Sequence, residues 1–139
     1  LKGRMASVIL HAFRQIKETG KMKLFRSHNP SYKDGEQLRD FIYVKDVVKG
    51  ALLVLENGES MRPYNLGYGT TITIGDIVDT ILKVTGKTPK VEWDNTKPTT
   101  IPFRSCSTER IQKELGFKPN YTFEDGIKET VEWYLENEK

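Results

Sequence analysis

The sequence predicts an α/β fold, because helical and strand-like hydrophobic patterns alternate along a chain of 139 residues. Five segments carry apolar residues at the three- and four-residue spacings of amphipathic helices, and short apolar runs typical of strands lie between them. Glycines at positions 20, 58, 86 and 116 follow helical segments, where helices commonly end. No repeat, linker or low-complexity tract divides the chain, so residues 1–139 are expected to form one domain.

The N-terminal part is predicted to contain two helices and two strands. A helix over residues 5–19 follows from the spacing of its apolar residues. Short strands are predicted at residues 23–25 and 41–43, on either side of a polar loop. A second helix is expected to begin at Asp46, and its almost continuous apolar face consists of Val47, Val48, Ala51, Leu52 and Leu55.

The C-terminal part continues the alternation. Short strands are predicted around residues 62–66 and at residues 90–93. Thr73 opens the T-x-x-D pattern of a capping box, which predicts a helix after it. A short helix is expected before Gly116, and a last helix from Thr122, where early acidic residues suit the helix dipole.

Composition argues against several classes of function. The net charge of +3 comes from 22 basic and 19 acidic residues that are interspersed, so we expect no nucleic-acid partner. No apolar run approaches the roughly 20 residues of a membrane helix, so no membrane partner is expected. One cysteine excludes an internal disulfide, and with two histidines it offers little for a metal, so we expect no metal and a reducing, cytoplasmic location. The opening LKGRMAS leads us to expect that the chain begins in mid-protein.

A long polar loop, residues 26–38, is the first candidate binding element. Loops of this length in compact domains tend to be binding loops or lids, and a mobile surface excursion is the alternative. Arg39 follows the loop and precedes an apolar run. Because a guanidinium can bind two phosphate oxygens at once, Arg39 is a candidate anion-binding residue. The alternative is a surface ion pair with Asp40, worth under about 1 kcal/mol.

Several other positions have two interpretations each. Lys2 is either a solvated residue or a lysine at the rim of a cleft that transfers a proton or holds a cofactor. His11, within the first predicted helix, is either a satisfied core histidine or a hydrogen-bonding contact to a ligand. Phe103 and Arg104 either stack on a base or sugar, or the aromatic ring fills the core. Neither a Ser-His-Asp order nor a close pair of carboxylates predicts hydrolysis.

Three ordered stretches carry a family resemblance. They are RDFIYVKDV, then YNLGYGTTITIGDIVDTI, then TERIQKELGFKP with TFEDGIKETVEWY, and together they cover nearly the whole chain. They resemble segments of the extended short-chain dehydrogenase/reductase family of nucleotide-sugar epimerases, dehydratases and reductases. The resemblance implies the C-terminal part of a Rossmann-type fold. Since the chain has neither the G-x-G-x-x-G loop nor the Y-x-x-x-K pair, it also implies that residues 1–139 are the substrate-binding domain of a larger enzyme whose dinucleotide-binding half is absent.

Within this family, KGRMAS, His11 and DGEQLRDFIYV resemble epimerases that act on an ADP-linked heptose. This resemblance implies an isomerase of lipopolysaccharide precursor synthesis that removes hydride from a sugar carbon with NADP, or with NAD, and returns it to the opposite face. It implies that Lys2 is the catalytic acid/base and also contacts the cofactor, that Arg39 grips the diphosphate, and that the enzyme is a homo-oligomer. The substrate contacts it implies are Arg4, His11, Phe25, Arg26, Ser27, His28, Arg39 and Phe103.

The sequence leaves other functions open. DNTKPTTIPFRSCST resembles a segment of the reductases that make GDP-fucose, so another nucleotide-sugar epimerase or reductase of the family, including a UDP-sugar epimerase, is the alternative. A non-catalytic module that binds a nucleotide sugar, and a structural or oligomerisation piece with exposed apolar faces, are further alternatives.

Overall fold

The computed structural model of the chain describes residues 7–94, 96 and 101–137. Its helices are α1 (Val8–Thr19), α2 (Val44–Asn57), α3 (Ile74–Thr85), α4 (Glu109–Leu115) and α5 (Phe123–Asn137). Its strands are β1 (Lys21–Phe25), β2 (Leu38–Arg39), β3 (Ile72–Thr73), β4 (Lys90–Asp94) and β5 (Phe103–Arg104). The α/β prediction is confirmed. α1 begins three residues after its predicted start, because the Ser7 hydroxyl accepts the Ile9 N–H at 3.3 Å and caps the helix there.

The strands form two small sheets. β1 pairs with β4 in parallel, from Lys21 opposite Lys90 to Phe25 opposite Asp94. The second sheet has the order β3-β2-β5, in which β2 runs antiparallel to β3 and parallel to β5. β2 is therefore a central strand, and hydrogen bonds to its neighbours fix it on both edges.

The core lies where α1, α3 and α5 pack together against β1. α1 contributes Phe13 and Ile16, α3 contributes Ile77 and Ile81, and α5 contributes Val131, each with an exposed fraction of 3% or less. Burying a side chain of this size contributes about 1.5–3 kcal/mol. This core holds the first sheet, and α3 in turn anchors β3 of the second sheet.

Local caps set the ends of several helices. Thr73 and Asp76 form the predicted capping box: the Asp76 N–H donates to the Thr73 hydroxyl at 2.9 Å, and the Thr73 N–H donates to the Asp76 carboxylate at 3.0 Å. Gly20, Gly86 and Gly116 follow α1, α3 and α4 with φ of 65°, 63° and 66°. This left-handed conformation favours glycine, and the predicted helix ends at these residues are confirmed.

The strand predictions are partly wrong. β1 and β4 confirm two of them. Residues 41–43 form no strand, because the ladder ends where the Asp40 N–H donates to the Arg104 carbonyl at 3.1 Å, and the chain then enters α2. Residues 62–66 are irregular and pair with no other strand of the described chain. A strand needs a hydrogen-bonded neighbour, which an apolar pattern does not supply.

α2 differs most from its prediction. It begins at Val44 rather than at Asp46, which is buried in its first turn. The apolar face is exposed, with exposed fractions of 54%, 51% and 81% for Val48, Leu52 and Leu55. α2 instead turns Gly50 inward, where a Cβ would overlap the Leu66 side chain and lie 3.1 Å from the ring of Phe117. Glycine thus permits the close approach of α2 to Leu66 and Phe117, and the apolar face of the helix remains outside.

Candidate functional site

The loop between β1 and β2 is folded onto its own polar groups. The Ser27 N–H donates to the Asp34 carboxylate at 2.7 Å, and the Arg26 Nε lies 3.6 Å from the other oxygen of that carboxylate. The Tyr32 N–H donates to the Asn29 carbonyl at 3.1 Å. These contacts give the loop a defined shape at the end of β1.

This loop and the residues before β5 enclose an open recess of about 320 Å³. That volume is near the lower end of the roughly 300–1,000 Å³ of small-molecule sites. Residues 27–30, Gln37, Ile101 and Pro102 form its wall. Ser27 and His28, which the sequence predicts as substrate contacts, are thus among the lining residues.

Gln37 is the most buried polar residue of the wall, with an exposed fraction of 5%. Its carbonyl accepts the Ile74 N–H at 3.0 Å, which fixes its backbone against α3. As a residue of the wall, Gln37 carries a side-chain amide that has both donor and acceptor groups for a ligand.

β2 carries Arg39, which follows Gln37 of the wall by two residues but is not itself a lining residue, and its guanidinium donates to the Leu38 carbonyl at 2.7 Å. The Leu38 N–H donates to the Pro102 carbonyl at 2.9 Å, and this ladder places Arg39 directly opposite Arg104 of β5. Burial lowers the pKa of Arg39, and the neighbouring charge of Arg104 lowers it further. Arg39 still carries its charge at neutral pH, because a guanidinium is effectively always protonated in proteins.

Asp40, the ion-pair partner that the sequence suggests for Arg39, is engaged with the backbone. Its carboxylate accepts the Tyr68 N–H at 2.8 Å and the Gly69 N–H at 3.4 Å. The turn reaches Asp40 because residue 67 is glycine: a Cβ at Gly67 would lie 2.5 Å from the carboxylate. Asp40 therefore anchors the glycine turn beside the second sheet.

The remaining predicted site residues are spread over the chain. Phe25 ends β1 with an exposed fraction of 44%, and Phe103 begins β5 with an exposed fraction of 49%. His11 lies half-buried on α1 and does not line the recess. Lys2 and Arg4 lie outside the described residues.

Sequence reasoning missed part of this site. Gln37 stands two residues before Arg39, and in an extended segment this spacing places both side chains on one face. This spacing could have identified Gln37 as a candidate site residue. Ile101 and Pro102 were interpreted only as part of a stiff loop. Arg104 was considered only as a stacking partner beside Phe103, and its position opposite Arg39 has no local signal, because the pairing partner is distant in the sequence.

The arrangement suits the binding of an anionic molecule that also has a flat or hydrogen-bonding part. β2 and β5 carry two arginines, Arg39 and Arg104, and amide, hydroxyl and imidazole groups line the recess. No carboxylate is among the lining residues that the structure describes, although Asp34 lies behind the wall, where it accepts the Ser27 N–H. Within the described ranges, no helix combines the length and apolarity needed to cross a bilayer.

Residues 9–130 match the family model described as GDP-mannose 4,6 dehydratase. The ADP-L-glycero-D-manno-heptose-6-epimerase of Fusobacterium nucleatum is 35% identical over 147 aligned residues, which cover 99% of this chain and 44% of that relative. The chain therefore spans less than half the length of this relative.

Solved structures show the same partial match. The ADP-L-glycero-D-manno-heptose-6-epimerase of Helicobacter pylori aligns over 95% of this chain and 38% of its own, with 28% identity and a TM-score of 0.75. The dTDP-glucose 4,6-dehydratase of Bacillus anthracis, in complex with NAD, aligns over 95% of this chain and 40% of its own, with 28% identity and a TM-score of 0.81. This chain has the fold of one part of these larger proteins.

Proposed function

The chain belongs to the extended short-chain dehydrogenase/reductase family, through its match to the GDP-mannose 4,6 dehydratase model and to related enzymes, and we propose that it is the substrate-binding portion of a nucleotide-sugar epimerase. One observation carries the proposal: a partly buried arginine, Arg39, lies on the strand that borders a recess of about 320 Å³. In this proposal the recess receives the nucleoside and Arg39 binds the diphosphate, for which a guanidinium fork is well suited.

The wall of the recess fits the two kinds of surface that a nucleotide base presents. The Gln37 amide can donate to and accept from the polar edge of a base. Ile101 and Pro102 offer apolar surface to its face, and Ser27 and His28 can reach the ribose hydroxyls. The wall therefore provides both affinity for a flat ring and hydrogen bonds that orient it.

The finer assignment is an epimerase that inverts one carbon of an ADP-linked heptose for lipopolysaccharide precursors. Its support is the resemblance of KGRMAS and DGEQLRDFIYV, together with the likeness to two heptose epimerases. In this assignment Lys2 acts as an acid/base group and contacts the cofactor. Arg4, His11, Phe25 and Phe103 are proposed to touch the substrate, and Arg26 to support the loop through Asp34.

A nicotinamide cofactor, which the family resemblance suggests is NADP, would accept the hydride and return it. The described residues include no glycine-rich strand-turn-helix unit that could hold its pyrophosphate, so we assign that site to a separate dinucleotide-binding half. We propose that the exposed apolar face of α2 packs against that half, because large apolar patches on proteins usually mark an interface. A homo-oligomer in the cytoplasm completes the proposal.

Calorimetric titration of the chain with ADP tests the anion site. Arg39→Ala is expected to weaken ADP binding by about 10- to 100-fold, because hydrogen bonds to charged groups contribute roughly 1.5–3 kcal/mol. Arg110→Ala is the matched control, since it removes an exposed arginine from α4. Equal ADP affinity in the Arg39 variant and the control would reject the proposal.

Thermal-shift measurements with ADP-, GDP- and UDP-sugars test the base, because a ligand stabilises the protein according to its affinity. The ADP-sugar is expected to give the largest shift. A response to GDP-sugar without one to ADP-sugar would reject the heptose assignment and favour a reductase that makes GDP-fucose. NADPH should bind the chain weakly, and tight binding would overturn the assignment of the cofactor site to another half.

A further inference from the structure

The strand β4 has one edge paired with β1 and one open edge. In a parallel ladder, alternate residues direct both backbone groups at the neighbouring strand, and the residues between them direct both groups away. The Arg26 N–H donates to the Asp94 carbonyl at 3.1 Å, so Asp94 faces β1 while Val91 and Trp93 face outward. Within the described ranges, no group hydrogen-bonds to the backbone of Val91 or Trp93. These backbone groups form the outer edge of β4.

The corresponding edge of β1 is covered by side chains of α1. The Lys21 N–H donates to the Thr19 hydroxyl at 3.2 Å, and the Lys23 N–H donates to the side-chain oxygen of Gln15 at 2.7 Å. Both donors are therefore occupied within the chain, which is one way in which proteins prevent an edge strand from pairing. The first sheet thus has one protected edge, on β1, and one edge on β4 that can accept another strand.

The sequence of β4, Lys-Val-Glu-Trp-Asp, is complementary to itself in the antiparallel direction. In a pairing centred on Glu92, Val91 of each copy lies opposite Trp93 of the other, and these outward-facing residues exchange their backbone hydrogen bonds. Lys90 of each copy then lies opposite Asp94 of the other. Pairs of opposite charge, and pairs of an aromatic with a β-branched residue, both stabilise neighbouring strands.

The neighbouring register is less favourable. A pairing centred on Val91 would place Trp93 of one copy opposite Pro89 of the other, and proline has no N–H to donate. Both the charges and the backbone donors therefore favour the register centred on Glu92.

The centre of this pairing brings two Glu92 side chains together, and nearby cations offset their repulsion. The Lys21 ammonium lies 3.1 Å from the Glu92 carboxylate of its own chain. This ion pair holds the pKa of Glu92 below its ordinary value, and the charges of Lys90 and Lys23 lower it further. Each Glu92 thus brings its own cations to the centre of the pairing.

We propose that two copies of this chain associate through antiparallel pairing of their β4 strands, which joins their first sheets into one sheet with the order β1-β4-β4-β1. A two-fold interface requires a surface that is complementary to itself, and β4 has one. The inference specifies an interface for the homo-oligomer that the proposed function includes; it rests on that part of the proposal and not on the nucleotide site. Because a strand edge buries little area, the dimer is expected to be weak and concentration-dependent.

Sedimentation velocity of the chain over a series of concentrations tests the inference through a charge exchange. Lys90→Asp places like charges opposite each other at both ends of the pairing, and Asp94→Lys does the same with the opposite sign. Each single change is expected to weaken dimerisation at least about tenfold. The double variant restores two pairs of opposite charge and should dimerise close to the parent. Lys118→Asp is the matched control, because it makes the same charge change at an exposed residue outside β4.

Hydrogen exchange locates the interface. Exchange at the amides of Val91 and Trp93 should slow as the parent concentration rises, and it should stay fast in Lys90→Asp. The amides of Lys21 and Lys23 are already bonded within the chain, so concentration should leave their exchange unchanged.

The outcomes separate this inference from the proposed nucleotide site. A parent chain that is monomeric at every concentration would overturn the inference, and so would a dimer that both single variants leave intact or a double variant that fails to recover. A dimer that Leu55→Asp disrupts and Lys90→Asp does not would place the interface on the exposed face of α2 and also overturn it. Lys90→Asp should bind ADP as the parent does, so loss of the dimer leaves the test of the nucleotide site unaffected.

Discussion

Replacing Asp46 by alanine should cause one of the largest losses of stability in the chain. Asp46 lies in the first turn of α2 with an exposed fraction of 1%. Its two carboxylate oxygens accept the Asn120 N–H at 2.8 Å and the Tyr121 N–H at 3.1 Å. One side chain therefore ties α2 to the segment that leads into α5.

The magnitude follows from these two bonds. A hydrogen bond to a charged group contributes roughly 1.5–3 kcal/mol, so losing both gives a decrease of about 3–6 kcal/mol in the free energy of unfolding. That is a large share of the roughly 5–15 kcal/mol that stabilises a typical domain. Asp46→Asn keeps one acceptor oxygen and turns an NH₂ group toward the second donor, so we expect a loss of about 2 kcal/mol.

Urea unfolding, followed by the fluorescence of the chain's two tryptophans, measures the effect. The midpoint should fall while the slope with urea stays constant, since the surface exposed on unfolding does not change. Asp79→Ala, an exposed aspartate of α3, is the control and should stay within about 0.5 kcal/mol of the parent. A loss under about 1 kcal/mol for Asp46→Ala would show that the two N–H groups find other partners, and would refute the reasoning.

Two further predictions concern titrating groups. Burial raises the pKa of the Cys106 thiol, and the negative charge of Asp40 raises it further. Asp40→Asn should therefore move the pH profile of Cys106 alkylation to lower pH, and identical profiles would contradict this. As a control, urea-unfolded samples of both forms should react alike. Hydrogen bonds from the Thr73 hydroxyl and N–H hold the pKa of Asp76 below its ordinary value. Its stabilisation is therefore present above about pH 4 and is lost as the pH falls through the folded-state pKa. Asp76→Asn should be less stable than the parent at pH 7, with a difference that shrinks in acid; a difference that is constant from pH 7 to strong acid would refute it.

Interactions within a few residues made part of the fold predictable. The Thr73-Asp76 capping box joins groups three residues apart, and the glycines after α1, α3 and α4 meet a local backbone requirement. An anion-binding role for Arg39 was suggested by a local signal too, a cation between a long polar loop and an apolar run, and it stays a prediction. Such signals depend on short stretches of chain, so a single sequence is enough to read them.

Contacts between distant segments could not be predicted in this way. β5 has only two residues and follows a stiff loop, so it shows no alternation of apolar and polar residues. Its pairing with β2 therefore could not be predicted from the sequence pattern. The binding of Asp46 to Asn120 and Tyr121 is equally remote. For α2, the pattern correctly indicated an apolar face, but a pattern does not say what covers that face.

The arginine pair is the place where local rules and the observed fold conflict most. A sheet gains nothing from Arg39 opposite Arg104, and Asp40, the nearest acidic residue in the sequence, holds a turn instead. Conflicts of this kind in natural proteins are expected at functional sites, where binding compensates for lost stability. A glutamine at position 104 should therefore leave the fold as stable as the parent or more so, because it removes the positive charge beside Arg39. A lower midpoint of urea unfolding would show that Arg104 supports the fold and would contradict this expectation.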